Sequence, residues 1–457
     1  MCQGSRHLLE ERIARIENGL QRNLQIVGEV VPTYNIEKRM KALNIPGLSI
    51  AVITDGKIEW AKGYGYADVS EGRKVTTETL FRAASISKPI TALRVLELAE
   101  EGKIDLDANV NDYLTTWKVP ENKYTIYKKV TPRRILNHSA GLTVRGFTGY
   151  RKGDVTPSVV ETLDGKGKDG PVRVFREPGK DRTYSGGGYE VLHLLISEID
   201  QQPFEVTMEE HVLKRLGMTR STFTTPLPPK YHNVAATQYR PNGNAIKGKW
   251  PVYPELAAAG LWTTPSDLAR YIMAIQKIWF TKEEGILTYE TVADMLTEGK
   301  GQSGLGPKIG KHVFVHGGGS KGNRSLFFGW KETPNGVVIM MNTDNDLIIQ
   351  EIMLSIAKEY NLPDVTPKVK TIVEMSAEVR KKYVGTYMMQ RYGQMHIRMA
   401  ERGLEMMGNF MKEPIPILAE SETAFFDARD GASYQFDLAG DKVKGFEIDG
   451  LKAVKVK

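Results

Sequence analysis

The sequence predicts an α+β protein in which a mixed region of helices and strands precedes a small antiparallel β-barrel. Two patterns indicate this architecture. Before residue 361, apolar residues recur at helical spacing through the middle of the chain, and strand-like runs lie on both sides of that middle. After Pro367, short alternating runs are separated by turns about every ten residues, which is typical of an all-β sandwich or barrel.

Composition narrows the class of protein. The length of 457 residues suits about two or three domains, and the hydrophobic content of 41% is ordinary for a globular chain. The net charge of +7 is not concentrated in Lys/Arg runs, so we expect no nucleic-acid partner. No apolar run is long enough to predict a transmembrane segment. The single cysteine, Cys2, excludes a disulfide framework and a thiolate metal site.

The first expected elements are two amphipathic helices and a β-hairpin. Apolar residues at helical spacing mark the helices, with Leu9, Ile13, Ile16, Leu20 and Leu24 in the first and Ile36, Met40 and Leu43 in the second. The runs 48–54 and 57–66 flank Asp55-Gly56, and Asp-Gly in that position is a strong hairpin signal.

The middle of the chain is expected to be mainly helical. One helix begins at Ser85, and Thr131-Pro132 and Thr264-Pro265 open two more, because Thr is a good N-cap and Pro suits the first helical position. Tyr184-Ser185-Gly186 opens another helix. Residues 144–183 show no clear period, and we expect a long surface excursion that borders a site.

Three strands and a helix are expected to close this region, at residues 312–316, 324–330, 337–342 and 347–360. Residues 361–367 contain two prolines and are interpreted as a linker. The sequence therefore predicts two domains, residues 1–362 and residues 368–457.

The start of the Ser85 helix suggests a serine nucleophile. Ser85-Ile86-Ser87-Lys88 fits Ser-x-x-Lys, and a spacing of three places the hydroxyl and the amine on one helical face. The N–H groups and positive dipole end of a helix N-terminus favour developing negative charge. The alternative is an N-cap serine followed by a surface lysine, and the tetrapeptide alone does not decide between the two.

Two further segments could complete such a site. Tyr184 stands where a glycine-rich loop becomes a helix, so its hydroxyl could serve as a proton shuttle. His316-Gly317-Gly318-Gly319 ends a strand, where glycines permit close backbone approach to a ligand and leave N–H groups for a carbonyl oxygen. The alternatives are a core tyrosine and a flexible hairpin.

Taken in order, these motifs resemble those of the serine β-lactamase and penicillin-binding-protein superfamily. Within it, the chain is similar to the class C β-lactamase-like group that includes CubicO proteins, D-aminopeptidases and family VIII carboxylesterases. The resemblance covers roughly residues 33–360, and its further support lies in residues 45–52, 135–142, 216–218 and 259–268. It implies an antiparallel sheet flanked by helices, with a helical subdomain. Val384-Gly385-Thr386-Tyr387 makes the C-terminal region similar to the lipocalin-like barrel that follows some CubicO domains.

The resemblance implies a role for each motif residue. Ser85 would be the acylated nucleophile, and Lys88 and Tyr184 would share its activation. The backbone N–H groups of Ser85 and Gly319 would form the oxyanion hole, and His316 would take the position of the basic residue in the third motif. The residues expected to border the substrate are Gly186, Gly317 and Gly318.

Two residues depart from the pattern of the family. Gly186 stands where many members have asparagine, and His316 replaces the lysine that is common in true β-lactamases. Histidine is mostly neutral near pH 7 whereas lysine is a fixed cation, so we do not expect efficient β-lactam hydrolysis. We expect His316 to titrate between about pH 6 and 8 and to make the rate pH-dependent there.

A second serine motif is rejected. Residues 318–322 fit Gly-x-Ser-x-Gly around Ser320, but that motif needs a helix after the serine, and a strand is expected there. We also expect no bound metal, since His138 and His193 have no partners at metal-ligand spacing. No cofactor is expected.

The expected function is hydrolysis through an acyl-enzyme, with short peptides or amides as substrates, including those with D-residues. One alternative is a carboxylesterase acting on small acyl esters. Another is a non-catalytic penicillin-binding sensor that is acylated without turnover. A homo-oligomer is compatible with the sequence, and both the cell envelope and the cytoplasm remain open as compartments.

Overall fold

The computed structural model describes residues 3–389, 392–409, 411, 413–448 and 450–456. These residues form two compact units. One consists of Glu37–Ile349, and the other combines Met1–Ile36 with Gln350–Lys457. Cys2 lies outside the described residues. The domain boundary expected between residues 362 and 368 stays a prediction.

The elements of the N-terminal part are α1 (Gln3–Asn18), β1 (Leu24–Ile26), α2 (Ile36–Ala42), β2 (Gly47–Thr54), β3 (Lys57–Asp68), β4 (Arg73–Lys74), β5 (Phe81–Arg82) and α3 (Ser87–Glu100). The middle of the chain holds α4 (Pro132–Leu136), α5 (Val159–Leu163), α6 (Gly186–Asp200), α7 (Phe204–Met208), α8 (Leu256–Ala259), β6 (Trp262–Thr263), α9 (Pro265–Thr281) and α10 (Tyr289–Met295). The helices expected at Thr131, Tyr184 and Thr264 are present, and Thr131 and Thr264 accept the N-cap hydrogen bonds as expected.

The elements that follow are β7 (Lys308–Ile309), β8 (Val313–Ser320), β9 (Asn323–Trp330), β10 (Gly336–Met341), α11 (Leu347–Tyr360), β11 (Lys368–Lys370) and α12 (Ala377–Lys381). The last eight strands are β12 (Gly385–Met389), β13 (Gly393–Met399), β14 (Leu404–Gly408), β15 (Ile415–Ala419), β16 (Ala424–Asp427), β17 (Ser433–Ala439), β18 (Lys442–Ile448) and β19 (Leu451–Lys455). The three strands and the helix expected between residues 312 and 360 are thus confirmed.

A seven-stranded antiparallel sheet in the order β4-β3-β2-β10-β9-β8-β7 is the frame of the larger unit. Its central strand, β10, is buried along its whole length, as its continuous apolar run leads one to expect. Helix α9 packs on this sheet, and the Gln276 side-chain amide donates to the Asn335 carbonyl at 2.7 Å. Helices α3, α6 and α8 pack together beside the sheet's hydrophobic core.

The N-terminal segment differs from the expectation. Helix α1 ends at Asn18, so neither Leu20 nor Leu24 lies in the first helix: Leu20 forms a β-bridge with Tyr34, and Leu24 lies in strand β1. β1 pairs in parallel with β11, with Leu24 opposite Lys368. The correction has a physical reason: backbone pairing with a strand more than 300 residues later outweighs a helical spacing of leucines, and such pairing is invisible to local periodicity.

Strands β12 to β19 form a closed barrel, because β12 pairs with both β13 and β19. Alternate residues of the strands are buried inside, among them Tyr387, Met406 and Phe436. The α+β class and the C-terminal barrel are therefore confirmed. None of the helices in the described ranges combines the length and the hydropathy that crossing a bilayer requires.

Candidate active site

Ser85 lies in a short 3-10 turn, Ala84–Ile86, that leads directly into α3. The expectation that Ser85 begins the helix is therefore off by one short turn. Pro89 is the third residue of α3, where the missing N–H removes no intrahelical hydrogen bond. Ser85 is half-buried, and the residues on either side of it are buried. The turn is therefore packed against the core on both sides of a partly accessible serine.

The residue before the serine is strained. Ala84 has φ of +47°, in the left-handed region that non-glycine residues seldom adopt. The Ser87 hydroxyl donates to the Ala84 carbonyl at 2.6 Å and accepts the Leu261 N–H at 3.0 Å. These two hydrogen bonds hold the strained turn against the segment that precedes β6.

Strand β9 holds the same turn from the sheet side. The Ser325 hydroxyl donates to the Ala83 carbonyl at 2.8 Å. The Asn323 side-chain amide donates to the Arg82 carbonyl at 3.0 Å. The nucleophile turn is therefore anchored to the strand that pairs with β8.

Lys88 places its amine beside the serine hydroxyl. Its side chain is 2% exposed, and Nζ donates to Ser85 Oγ at 3.2 Å and to the Ala258 carbonyl at 2.8 Å. The prediction that the two side chains share one face of the helix agrees with this geometry. An amine within hydrogen-bond reach of a serine hydroxyl is an arrangement suited to activating that hydroxyl.

Tyr184 directly precedes Ser185, the N-cap residue of α6. Lys88 Nζ lies 5.1 Å from the centroid of the Tyr184 ring, and the ring of His316 lies 6.5 Å from it. Residues more than 200 positions apart, Ser85 and His316 among them, thus surround one half-buried tyrosine. The structure brings Ser85, Lys88, Tyr184 and His316 together.

His316 is held as a neutral imidazole. Its Nδ1 lies 2.8 Å from the Gly317 carbonyl, which can only accept, so Nδ1 carries the proton and Nε2 keeps a lone pair. Burial, together with the positive charges of Lys88 and Arg182, lowers the pKa of His316 to about 3. The expectation that His316 titrates between pH 6 and 8 is therefore wrong, because that reasoning used the pKa of a solvated histidine.

Strand β8 has a free edge at the site. It pairs with β9 along its whole length, whereas β7 covers its other edge only as far as Val315. Gly317 and Gly319 are exposed. Within the part of the chain that the structure describes, the segment 316–320 therefore offers backbone groups to a bound carbonyl or an extended substrate.

Gly318 has a different environment from its two neighbours. It is buried, and a Cβ atom there would overlap the Ala83 carbonyl oxygen and the Ser325 hydroxyl. A Cβ at Gly317 would find no atom closer than 3.7 Å. The glycine at 318 therefore allows β8 to approach the nucleophile turn, while its expected contact with substrate stays a prediction.

Gly186, where the family resemblance implies asparagine in many members, lies against a loop. Its N–H donates to the Arg145 carbonyl at 3.2 Å, and a Cβ there would lie 2.9 Å from the Phe147 ring. An asparagine at position 186 would require Phe147 to move. The expected contact between Gly186 and substrate stays a prediction, and Phe147 is a neighbour of the site that local sequence patterns did not indicate.

His138 is a second neighbour that the sequence analysis missed. It is 4% exposed, follows α4, and its ring centroid lies 4.3 Å from that of Tyr184. The sequence signal for His138 is the segment 135–142, which carries the family resemblance, while its lack of partners at metal-ligand spacing argues against a metal site. The side chain instead contacts the candidate proton shuttle.

Positive charge surrounds Tyr184. The guanidinium carbons of Arg145 and Arg182 lie 5.6 and 5.8 Å from its ring centroid, and both arginines are exposed. Burial, followed by the positive charges of Lys88, Arg182 and Arg145, lowers the pKa of His138 well below its ordinary value. The candidate site is therefore cationic, which suits negative charge that develops on substrate or tyrosine oxygen.

Two other groups of residues, around Ser320 and around Glu97, could suggest a catalytic or metal site but have structural explanations. Ser320 ends β8, and a two-residue turn leads from it into β9, so the helix that Gly-x-Ser-x-Gly requires does not follow it. Glu97, Glu101 and His211 have their ligand atoms close together. Arg94, which is fully buried, donates to both carboxylates and makes this cluster an ion-pair network.

This fold and this constellation together define a protein of the serine β-lactamase and penicillin-binding-protein type, with a β-barrel appended. The model of the Beta-lactamase family matches residues 34–348, and the chain belongs to that family. The chain has the serine-hydrolase fold of the β-lactamase and penicillin-binding-protein type.

Curated relatives agree with this assignment. Protein flp of Staphylococcus aureus (strain MW2) is 28% identical over 240 residues, which are 50% of this chain and 44% of that protein. The match thus spans less than half the length of that relative. Penicillin-binding protein 4* of Bacillus subtilis (strain 168) is 24% identical over 427 residues, which are 86% of this chain and 90% of that protein.

Solved structures show the same fold. An octameric penicillin-binding protein homologue from Pyrococcus abyssi has a TM-score of 0.61 at 21% identity, covering 92% of this chain and 98% of that one. FmtA from Staphylococcus aureus has a TM-score of 0.58 at 21% identity, covering 74% of this chain and 91% of that one. SurE with D-Leu has a TM-score of 0.57 at 18% identity, covering 92% and 97%.

Proposed function

We propose that this protein is a serine hydrolase that cleaves short peptides or amides, including those with D-residues, through an acyl-enzyme. The observation that carries the proposal is the 3.2 Å hydrogen bond from Lys88 Nζ to Ser85 Oγ, with the ring of Tyr184 beside the same amine. The likeness to SurE with D-Leu supports the inclusion of D-residues.

In the proposed mechanism, Ser85 Oγ attacks the substrate carbonyl as its proton passes to Lys88 and Tyr184. The N–H groups of Ser85 and Gly319 bind the oxyanion that forms. The leaving amine takes a proton back from the same pair, and water then hydrolyses the acyl-enzyme. The neutral His316 can accept a hydrogen bond from substrate through Nε2 but supplies no fixed positive charge.

A carboxylesterase is the second candidate, and one observation favours it. Gly186 lacks a side-chain amide that could bond to a substrate amide, and the Phe147 ring lies beside that position. An ester needs no such partner. The mechanism on Ser85 is the same for both functions.

The proposal is tested by turnover on a matched panel. D- and L-amino-acid p-nitroanilides are compared with p-nitrophenyl esters, using the parent protein and Ser85→Ala. Ser85-dependent release of nitroaniline supports a peptidase or amidase, and release of nitrophenol alone supports an esterase. Product limited to one equivalent per protein would indicate a sensor that is acylated without turnover.

We also propose that the protein forms a homo-oligomer. The likeness to an octameric homologue over 92% of this chain supports this proposal. Size-exclusion chromatography with light scattering measures the assembly directly, and a mass of 51.1 kDa in solution would refute it.

A further inference from the structure

His138 contacts the backbone on both sides of Tyr184. Its carbonyl accepts the Thr183 N–H at 2.7 Å, and its ring Nδ1 accepts the Ser185 N–H at 3.3 Å. Its ring packs on the ring between them, with centroids 4.3 Å apart and planes tilted by 39°. His138 therefore contacts Thr183, Ser185 and the ring of Tyr184 between them.

The backbone conformation of His138 allows these contacts at once. Its φ is +60°, in the left-handed region, so carbonyl and side chain reach the segment 183–185 together. The histidine is anchored at its base, because its N–H donates to the Ile135 carbonyl at 3.0 Å. The Tyr189 hydroxyl donates to the Leu136 carbonyl at 3.0 Å, which ties the end of α4 to α6.

The hydrogen bonds determine the proton state of this histidine. Because the Ser185 N–H donates to Nδ1, the proton of the neutral ring is on Nε2. A protonated ring would turn Nδ1 into a donor that faces the Ser185 N–H. The groups that act on the ring from the surrounding elements are Lys88, Arg145, Arg182 and His316. These neighbours and burial both oppose protonation.

His138 has no hydrogen-bond partner on Nε2 among the described residues, although that atom is buried. The imidazole itself accepts the Ser185 N–H and packs on the rings of Tyr184 and Tyr189, whereas the contact with Thr183 is made by the His138 carbonyl.

We propose that His138 is a positioning residue that holds Tyr184 in place for proton transfer with Ser85 and Lys88. This inference rests on the proposed function and adds a residue to it. His138 itself exchanges no proton with the substrate. The imidazole acts through the position of the tyrosine hydroxyl, since a small displacement of a catalytic group is costly to the rate.

Three variants separate the contacts. His138→Asn keeps an acceptor near the position of Nδ1, tolerates the left-handed backbone and removes the ring. His138→Phe keeps a ring on Tyr184 and removes the acceptor. His138→Gly removes both and suits the φ of +60°. His232→Asn is the matched control, because His232 packs on Trp250 and bonds to the Leu227 carbonyl away from Tyr184.

The first measurement is steady-state hydrolysis of p-nitrophenyl acetate by these variants, each also made in a Tyr184→Phe background. We expect His138→Gly to lower kcat about tenfold or more with little change in KM, and His138→Asn and His138→Phe to lie between it and the parent. In the Tyr184→Phe background, His138→Gly should lower kcat hardly any further, because the tyrosine hydroxyl that it positions is already absent. Equal losses in both backgrounds, or full activity of a folded His138→Gly protein, would overturn the inference.

The second measurement does not depend on turnover. A crystal structure of His138→Gly should show the Tyr184 side chain displaced or in more than one position, with the Ser85 turn unchanged. Tyr184 in its parental position would refute the positioning role even if the protein proved to be a sensor. Failure of the proposed function is seen separately, as absence of Ser85-dependent turnover in the parent.

Discussion

Ser85 and Lys88 are held by contacts that leave little freedom at the reacting atoms. The lysine amine is shared between the serine hydroxyl and the Ala258 carbonyl, and Ala84, directly before the serine, is held in the left-handed region. Strain of this kind persists only where the surroundings over-determine it, and such residues cluster at active sites. At the scale of single residues, the site is therefore preorganised.

The first prediction concerns the nucleophile. Ser85→Ala should abolish covalent labelling by a fluorophosphonate, because no other serine hydroxyl in the described chain is bonded to the Lys88 amine. Ser320→Ala should leave labelling nearly unchanged, since Ser320 lies at a hairpin turn. Peptide mass mapping locates the adduct, and an adduct on Ser320 would contradict the assignment.

The second prediction follows from the pKa of His316, which is about 3 in the folded protein and near its ordinary value of 6.5 when unfolded. Between these values the unfolded chain binds a proton that the folded chain does not. His316 therefore lowers stability as pH falls from about 6.5 to 3, by at most about 5 kcal/mol.

Replacing His316 by Gln should flatten the dependence of the free energy of unfolding on pH in that window. Between pH 6 and 8, the rate profiles of the parent and of His316→Gln should have the same shape, although their heights can differ. Urea denaturation and initial rates at several pH values measure both. If the rate of the parent changes with pH near 7 and the rate of His316→Gln does not, His316 does titrate there.

The third prediction concerns the cations around Tyr184. Arg145→Gln and Arg182→Gln should each lower kcat/KM for a substrate with a free carboxylate about threefold to tenfold relative to its neutral analogue. Salt should reduce the difference, because both arginines are exposed. Arg176→Gln is the control, since Arg176 pairs with Asp181 at 3.6 Å. Equal ratios in all variants would exclude a role for the two arginines in substrate charge recognition.

At the scale of elements, the hairpin of β8 and β9 positions the nucleophile turn. Ser325 and Asn323 bond to the backbone before Ser85, and Gly318 makes room for that backbone. The same hairpin carries Gly319, the expected oxyanion donor, in strand β8. Long-range pairing of this kind couples the sheet directly to the chemistry.

The fourth prediction tests this coupling. Gly318→Ala should reduce Ser85 labelling by about a hundredfold, because the new methyl group overlaps the Ala83 carbonyl and forces β8 away from the turn. Gly317→Ala is the matched control, with no atom nearer than 3.7 Å to its Cβ, and should remain active. Circular dichroism verifies folding. Equal labelling rates in the two variants would show that the contact at Gly318 is not important.

At the scale of the whole molecule, every candidate site residue falls within Glu37–Ile349. The barrel belongs to the other unit, to which β1 is joined by its pairing with β11. The candidate site residues and the barrel therefore lie in different units, and we expect that the barrel can be removed without removing the site. The N-terminal segment, by contrast, depends on a strand that follows the linker.

The fifth prediction is for a chain that stops at Asp364. It should keep Ser85 labelling and activity on a minimal p-nitrophenyl ester, because Ser85, Lys88 and Tyr184 are retained. Its Tm should fall, since the three residues of β1 lose their partner strand. Calorimetry and size-exclusion chromatography measure this. A folded truncation without any labelling would show that the barrel contributes to the site.

Local spacing alone predicted much of this protein. Residues three apart on a helix share a face, which predicts Lys88 beside Ser85. Alternation with regular turns indicates a sandwich or a barrel after Pro367, and the family resemblance selects the barrel. The order of the motifs predicted the family, and Asp-Gly predicted the hairpin of β2 and β3. The serine–lysine contact and the hairpin depend on neighbours in sequence, so periodicity and turn chemistry were sufficient to find them, whereas the family required the order of motifs along the chain.

Only the tertiary structure decided the rest. The neutral state of His316 depends on burial and on two distant cations, the role of Gly318 depends on Ala83, and β1 forms because β11 lies beside it. The contact of His138 with Tyr184 joins the end of one helix to the start of another. Desolvation, charge and backbone pairing are sums over neighbours in space, and those neighbours come from positions that no local pattern connects.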